Sequence, residues 1–287
     1  MTFTQFAALY GLILPDLYPS DKIRRCATEA HPNRKDGTYL WDGQRGWVCD
    51  WSVSDEWHWY DNPDAKGFTD EEKRVWAERK RAREKEEMEM ARRAAHLAAA
   101  MLKQCKPGEH PYLGSKKLGH VQGLVNDKHE LIVPMRTIDT NHLVGMQTIW
   151  FQMEERAWKK QFSKGMRAKS AVFRLGNPRA PETWLVEGYA TGLTVEMALR
   201  SLNVNACVLI CFSAHNLTHV AGQVKGRKFA FADNDKSGKG IGAVEAAQLP
   251  YSISPVEGED ANDWYVRAGL LPVAAEIMRV RRAVPTP

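Results

Sequence analysis

Read for where apolar residues fall, the chain changes period several times. Residues 183–187, 206–212, 228–233 and 251–256 are short, nearly continuous apolar runs, and residues 190–202, 216–224 and 240–249 between them space their apolar positions for helices. Strand–helix alternation with short connections predicts a parallel sheet covered by helices. In such sheets the functional residues gather at the carboxyl ends of strands. Two of these runs end on acids: one closes on Val186-Glu187-Gly188, the other on Ala232-Asp233-Asn234-Asp235. A third acidic stretch, Glu259-Asp260-Ala261-Asn262-Asp263-Trp264, reads as a turn.

Upstream the pattern is different. Residues 3–14 suit a short helix stopped by Pro15, and aromatic runs at 37–41, 46–51 and 57–60, separated by Gly-containing turns, predict a small antiparallel sheet. Five of the ten tryptophans lie between Trp41 and Trp59. They read either as the core of a small domain or as platforms on which bases stack. Residues 70–105 hold no Pro or Gly and read as one long helix, charged in its first half and alanine-rich in its second. The charged half suits a solvated spacer, the alanine-rich half a docked one. Residues 130–136 and 143–150 look like neighbouring strands, and 159–167 is a basic segment with one aromatic, suited to a sugar–phosphate backbone or to a plain surface loop. A last short basic helix spans 273–282. The expected domains are 1–64, 65–106 (linker helix), 107–180 and 181–287.

Charge sharpens this division. The net charge is +5, but residues 181–287 hold ten Lys/Arg against eleven Asp/Glu, leaving thirty against twenty-four in the first 180. A basic front half joined to an acid-marked back half suits a polyanion held beside a cation site, or simply a solvated surface. No apolar run is long enough to cross a membrane, and the first fifteen residues lack the basic start and cleavage pattern of a signal peptide. Five cysteines are an odd number, with Cys207 and Cys211 in an apolar run, so a reducing cytoplasm is the expected setting. Cys26, His31, Cys49 and His58 are candidate zinc ligands, spaced C-x4-H, seventeen residues, C-x8-H. Structural zinc sites usually carry two tight pairs, and neither pair here is tight.

The acids carry the chemistry. In extended geometry Asp233 and Asp235 point to one side of the chain, and two such carboxylates repel unless a cation or a proton intervenes. Mg²⁺ favours one or two carboxylates with waters and phosphate oxygens. Gly188, Gly238 and Gly240 would let a phosphate approach the backbone, and Lys236 and Lys239 could meet triphosphate oxygens. Solvated loop acids are the bland alternative. No G-x-x-x-x-G-K-[S/T] loop is present, so no helicase motor of that kind is expected.

Residues 183–264 resemble a Toprim domain, the metal-binding α/β module of bacterial-type primases, topoisomerases and some nucleases. Glu187-Gly188 matches its first motif and Asp233-Asn234-Asp235-Lys236-Ser237-Gly238 its second, while Asp263 resembles an extra acid found downstream in phage and plasmid primases. The wording VEGYATGLTV and ADNDKSGKG is close to those mobile-element primases. Tyr112-Leu113, Lys117-Leu118-Gly119, Leu131-Ile132-Val133-Pro134 and Gly145-Met146-Gln147-Thr148-Ile149 resemble the basic subdomain that precedes Toprim there. The N-terminal unit is similar in place and size to the primase zinc-ribbon domain, with His31 and Cys49 near the second and third ligand positions, but Asp50-Trp51-Ser52 offers no fourth cysteine. The resemblance implies a DNA primase making RNA primers from NTPs on single-stranded DNA during phage or plasmid replication. Glu187 would be acid/base or metal organiser, Asp233 and Asp235 Mg²⁺ (or Mn²⁺) ligands, and Asp263 would complete a second metal position. Lys116, Lys117, Arg136, Lys159, Lys160, Lys164, Arg167, Lys236 and Lys239 would contact nucleotide or strand. A replicative helicase acting in trans is the expected partner. A Toprim-type nuclease and a catalytically silent single-stranded-DNA-binding accessory protein remain the alternatives.

Overall fold

The computed structural model describes residues 1–53, 56–60, 62 and 69–284, apart from the side chain of Glu72. The chain forms two compact units, Met1–Lys80 and Arg81–Pro287. Among the described residues there are eight helices, and none is long and apolar enough to cross a membrane.

The first unit opens with α1 (Phe3–Leu9), capped by Thr2, whose hydroxyl accepts the Gln5 N–H at 3.2 Å while the Gln5 side chain takes the Thr2 N–H at 2.9 Å. The helix is shorter than the expected 3–14, because Gly11 takes φ 70° and turns the chain into β1 (Leu12–Ile13). β2 (Ser20–Thr28), β3 (Gly37–Trp41), β4 (Gly46–Asp50) and β5 (His58–Tyr60) complete an antiparallel sheet in chain order. The polar β2 escaped the periodicity reading, since most of it is exposed.

In an antiparallel ladder paired residues share a face and neighbours alternate. Cys26 pairs with Gly37, and Tyr39 with Val48, on the face where Phe3, Phe6, Tyr39, Val48 and Tyr60 form the core. Trp41 lies there too, stacked on Phe3 at 4.6 Å. Cys49 (paired with Thr38) and Trp47 (paired with Trp59) point the other way. On that face Trp57 covers Trp47 at 3.9 Å and Trp51 donates to the Thr38 hydroxyl at 2.6 Å. Trp51, Trp57 and Trp59 remain 36, 42 and 70 % exposed. The tryptophans therefore divide between core and surface.

α2 (Asp70–Gln104) begins in the first unit and ends in the second, where Ala94 and Ala98 of its alanine-rich half are buried. Then come β6 (Lys106–Gly108), α3 (Pro111–Ser115), β7 (Gly123–Val125), β8 (Leu131–Thr137), β9 (Leu143–Gln152), β10 (Ala157–Phe162) and β11 (Ala171–Gly176). The remainder is β12 (Glu182–Val186), α4 (Tyr189–Ser201), β13 (Cys207–Ile210), α5 (Ala214–Ala221), β14 (Arg227–Ala232), α6 (Lys239–Ala246), β15 (Tyr251–Ile253), α7 (Ala261–Ala268) and α8 (Leu270–Ala283).

Ten of these strands make one sheet, ordered β10-β9-β8-β11-β13-β12-β14-β15, with β6 and β7 joined to it at β8. β13, β12, β14 and β15 are parallel, and β11 is antiparallel to both β8 and β13. The stretches read separately as 107–180 and 181–287 thus share a mixed sheet. Two expectations are corrected: four of the nine residues of the basic segment 159–167 lie in strand β10, and the acidic turn at 260–263 opens helix α7.

The parallel strands are buried on both faces, which is why they read as unbroken apolar runs. Trp184, Phe229 and Phe231 pack under α4, α7 and α8, while Leu185, Ala230 and Ala232 pack with Leu217, Val220 and Val244 of α5 and α6. At the amino end of β12 the buried Glu182 carboxylate accepts from Arg281 Nε at 2.8 Å, Arg227 Nη1 at 3.4 Å and Trp184 Nε1 at 2.8 Å, which ties α8 to the sheet.

Candidate active site

β12 and β14 are parallel neighbours in register, with Leu185 opposite Ala230, so Glu187 and Asp233 leave the sheet at one edge. Burial first, then the charges of Asp260, Glu187 and Asp235, push the Asp233 carboxyl up to about 8, and Lys160 offsets only part of this. Its Oδ1 is buried with no hydrogen-bond partner. Glu187 is likewise raised by burial and by Asp235, with the Ala214 N–H pulling back.

Asp235 behaves differently. Burial would raise it, but the Ser237 hydroxyl and the amides of Gly240, Ser237 and Lys239 hold it below its ordinary range. Ser237 N–H donates to Oδ1 at 2.8 Å, the Ser237 hydroxyl donates to the same oxygen, and Gly240 N–H donates to Oδ2 at 3.2 Å. Asp235 thus closes its own loop. Packing alone already requires Gly240 there: a Cβ on it would stand 2.4 Å from the Asp233 carbonyl oxygen.

The third acidic position comes from the α7 cap. Asp260 Oδ1 accepts the Asp263 N–H at 2.8 Å and its Oδ2 accepts the Thr191 hydroxyl at 2.9 Å. Asp263 is drawn to Lys116 at 3.0 Å instead, so the carboxylate acting most strongly on Asp233 is Asp260. Sequence reading singled out Asp263; which of the two faces the acids depends on the cap geometry.

Two cations meet these acids. Lys116 sits on a segment stitched to α7, where Asn262 Nδ2 donates to the Lys116 carbonyl at 3.0 Å, Lys117 Nζ to the Val266 carbonyl at 2.9 Å and the Tyr265 hydroxyl to the Lys117 carbonyl at 3.2 Å. Lys160 comes from β10. Desolvation and Lys116 lower its ammonium, against Asp260, Asp233 and Asp263, which raise it. Its Nζ lies 5.5 Å from the Tyr112 ring, and the Tyr112 hydroxyl, pushed up to about 12 by burial, is buried with no partner.

The other basic candidates are placed differently. Arg136 donates to the Asn141 carbonyl at 3.2 Å, and Lys159, on the opposite face of β10 from Lys160, pairs with Glu155. Lys164 and Arg167 are exposed beyond β10, and Lys236 and Lys239 are exposed around the start of α6.

One feature here left no trace in the sequence pattern. Phe212, just past β13, has φ 66° and donates its N–H to the Glu187 carbonyl at 2.9 Å. A bulky residue in this region costs about 1–2 kcal/mol. Its ring meets Phe162 edge-on at 5.9 Å.

Cys26, His31, Cys49 and His58 do not converge. Cys26 and Cys49 point to opposite faces of the first sheet, His31 Nδ1 lies 3.0 Å from Asp36 Oδ2, and His58 stacks on Tyr10 at 3.9 Å. Among the described residues no three His, Cys, Asp or Glu groups form a ready metal cage. Magnesium does not require one, since one or two carboxylates suffice when waters and phosphate oxygens complete the octahedron. The orphaned Asp233 oxygen among three other carboxylates fits that demand. Set against known proteins, the chain matches no family model and no curated protein.

Proposed function

We propose that the chain is a Toprim-type DNA primase that joins ribonucleotides into short primers on single-stranded DNA, in the manner of phage and plasmid primases. One observation carries this reading: at the carboxyl edge of the parallel strands, the half-buried Asp233 has a buried Oδ1 with no partner and feels the charges of Asp260, Glu187 and Asp235. Such a group is costly unless a cation sits beside it, and Lys160 compensates only in part.

In this reading Asp233 and Asp235, with Glu187 and Asp260 around them, would hold Mg²⁺ or Mn²⁺, which supplies Lewis-acid activation of the primer 3′-hydroxyl and neutralises the departing pyrophosphate. Lys116 and Lys160 hold phosphate oxygens at the same edge. Glu187, whose carboxyl lies above its ordinary range, takes the 3′-hydroxyl proton as the new O–P bond forms and the bond to the β-phosphate breaks. In the first unit, the outward tryptophans Trp51, Trp57 and Trp59 offer the template bases stacking surfaces.

The experiment is primer synthesis from labelled NTPs on single-stranded DNA with Mg²⁺ or Mn²⁺. Wild type is expected to make short oligonucleotides and Asp233→Ala/Asp235→Ala none. No product from wild type on any template contradicts the activity, and product unchanged in the double variant contradicts the site.

A further inference from the structure

We infer that Phe212 and Phe162 form a wall on which the base of the incoming nucleoside triphosphate stacks; this rests on reading the acidic edge as the nucleotidyl-transfer site. Phe162 lies two residues beyond Lys160 on β10, so both side chains project from the same face of that strand. Lys160 is close enough to act on Asp233 and Asp260. Two strand residues span about 7 Å, the scale that separates a nucleotide's phosphate from its base. A triphosphate held by Lys160 and the acids would therefore bring its base to Phe162.

Phe212 closes the other side. Its backbone is anchored by its N–H to the Glu187 carbonyl, and its ring meets Phe162 edge-on. Phe212 packs partly against the core, but core filling alone does not call for its left-handed backbone. Strained backbone persists where the surroundings over-determine it, and such positions cluster at ligand sites. Phe162 itself is 37 % exposed, with ring surface left for a partner. Neither ring carries a hydrogen-bonding group. The wall would accept all four bases, as a template-directed synthesis requires.

The test is calorimetry with Mg²⁺-ATP and with Mg²⁺-tripolyphosphate, which has the anion but no base. Wild type is expected to bind ATP more tightly than tripolyphosphate. Phe162→Ala, at an exposed position, is expected to weaken ATP about tenfold, the scale of one base–aromatic stack, and to leave tripolyphosphate unchanged. Phe162→Tyr is expected to retain ATP affinity. Phe212→Gly, which tolerates the left-handed backbone, is expected to behave as Phe162→Ala does. Equal binding of both ligands by wild type, or unchanged ATP affinity in Phe162→Ala and Phe212→Gly, overturns the wall and leaves the acidic edge standing. Failure of wild type to bind either ligand overturns the acidic-edge reading and the wall with it.

Discussion

Two carboxylates, one buried and one half-buried, stand at opposite ends of the same parallel strands. At the amino end, Glu182 is 3 % exposed and accepts hydrogen bonds from Arg281, Arg227 and Trp184. At the carboxyl end, Asp233 has an oxygen with no partner and three acids acting on it. Glu182 is fully satisfied, and so are Asp235 and Asp260 at the carboxyl edge, but Asp233 keeps an oxygen without a partner. The amino edge is built to hold α8 in place, and the carboxyl edge is left short of positive charge. A buried charge without compensation is tolerated where a ligand supplies what is missing.

Breaking the satisfied end has the largest expected effect. Glu182→Ala leaves the partly buried Arg227 and Arg281 without their shared carboxylate and is expected to cost about 3–5 kcal/mol, read as a lowered denaturant midpoint. A change within experimental error would remove the distinction between the two ends.

The unsatisfied end predicts the opposite sign. The folded Asp233 carboxyl, at about 8, lies above its ordinary 3.8. Its contribution to stability is fully present below pH 4 and is lost as pH rises through 8. Metal-free Asp233→Asn should therefore be more stable than wild type at pH 9, by on the order of 3 kcal/mol, and the gap should close near pH 4. A variant less stable than wild type at pH 9 would show that the carboxylate is already satisfied.

A smaller effect sharpens the same edge. Gly240→Ala forces a Cβ against the Asp233 carbonyl and is expected to cost about 1–3 kcal/mol, with primer synthesis falling further than stability alone explains. An unperturbed variant would mean that the loop holding Asp235 is not tightly set by Asp233.

The carboxyl-end acids of this contrast were legible in the sequence; Glu182 and its arginines were not. The parallel strands bury both faces, so their runs and the acids that end them stand out. Glu187, Asp233 and Asp235 could be named from that pattern alone. Other parts were hidden for physical reasons. Asp260-Ala261-Asn262-Asp263 looks like a turn because helix caps and turns use the same residues. The choice of Asp260 over Asp263 depends on which oxygen the cap consumes. β10 places lysines where a half-buried strand would place apolar residues, since Lys160 faces acids instead of a core. The left-handed Phe212 leaves no pattern at all. In the first unit the failure is topological: Cys26 and Cys49 lie in a plausible order along the chain, but one residue of register puts them on opposite faces. Metal analysis of the purified protein is accordingly expected to find no zinc bound by that set.

The most direct test of the unsatisfied edge is Mn²⁺ binding by calorimetry at pH 7, run in two buffers of different ionisation enthalpy so that released protons are counted. A carboxyl pushed up to about 8 is expected to hold its proton at that pH in the metal-free fold, and binding is then expected to displace it. Wild type is expected to bind Mn²⁺ with release of about one proton, and Asp233→Asn to lose that binding and its proton signal together. Mn²⁺ bound by Asp233→Asn as tightly as by wild type would contradict the account.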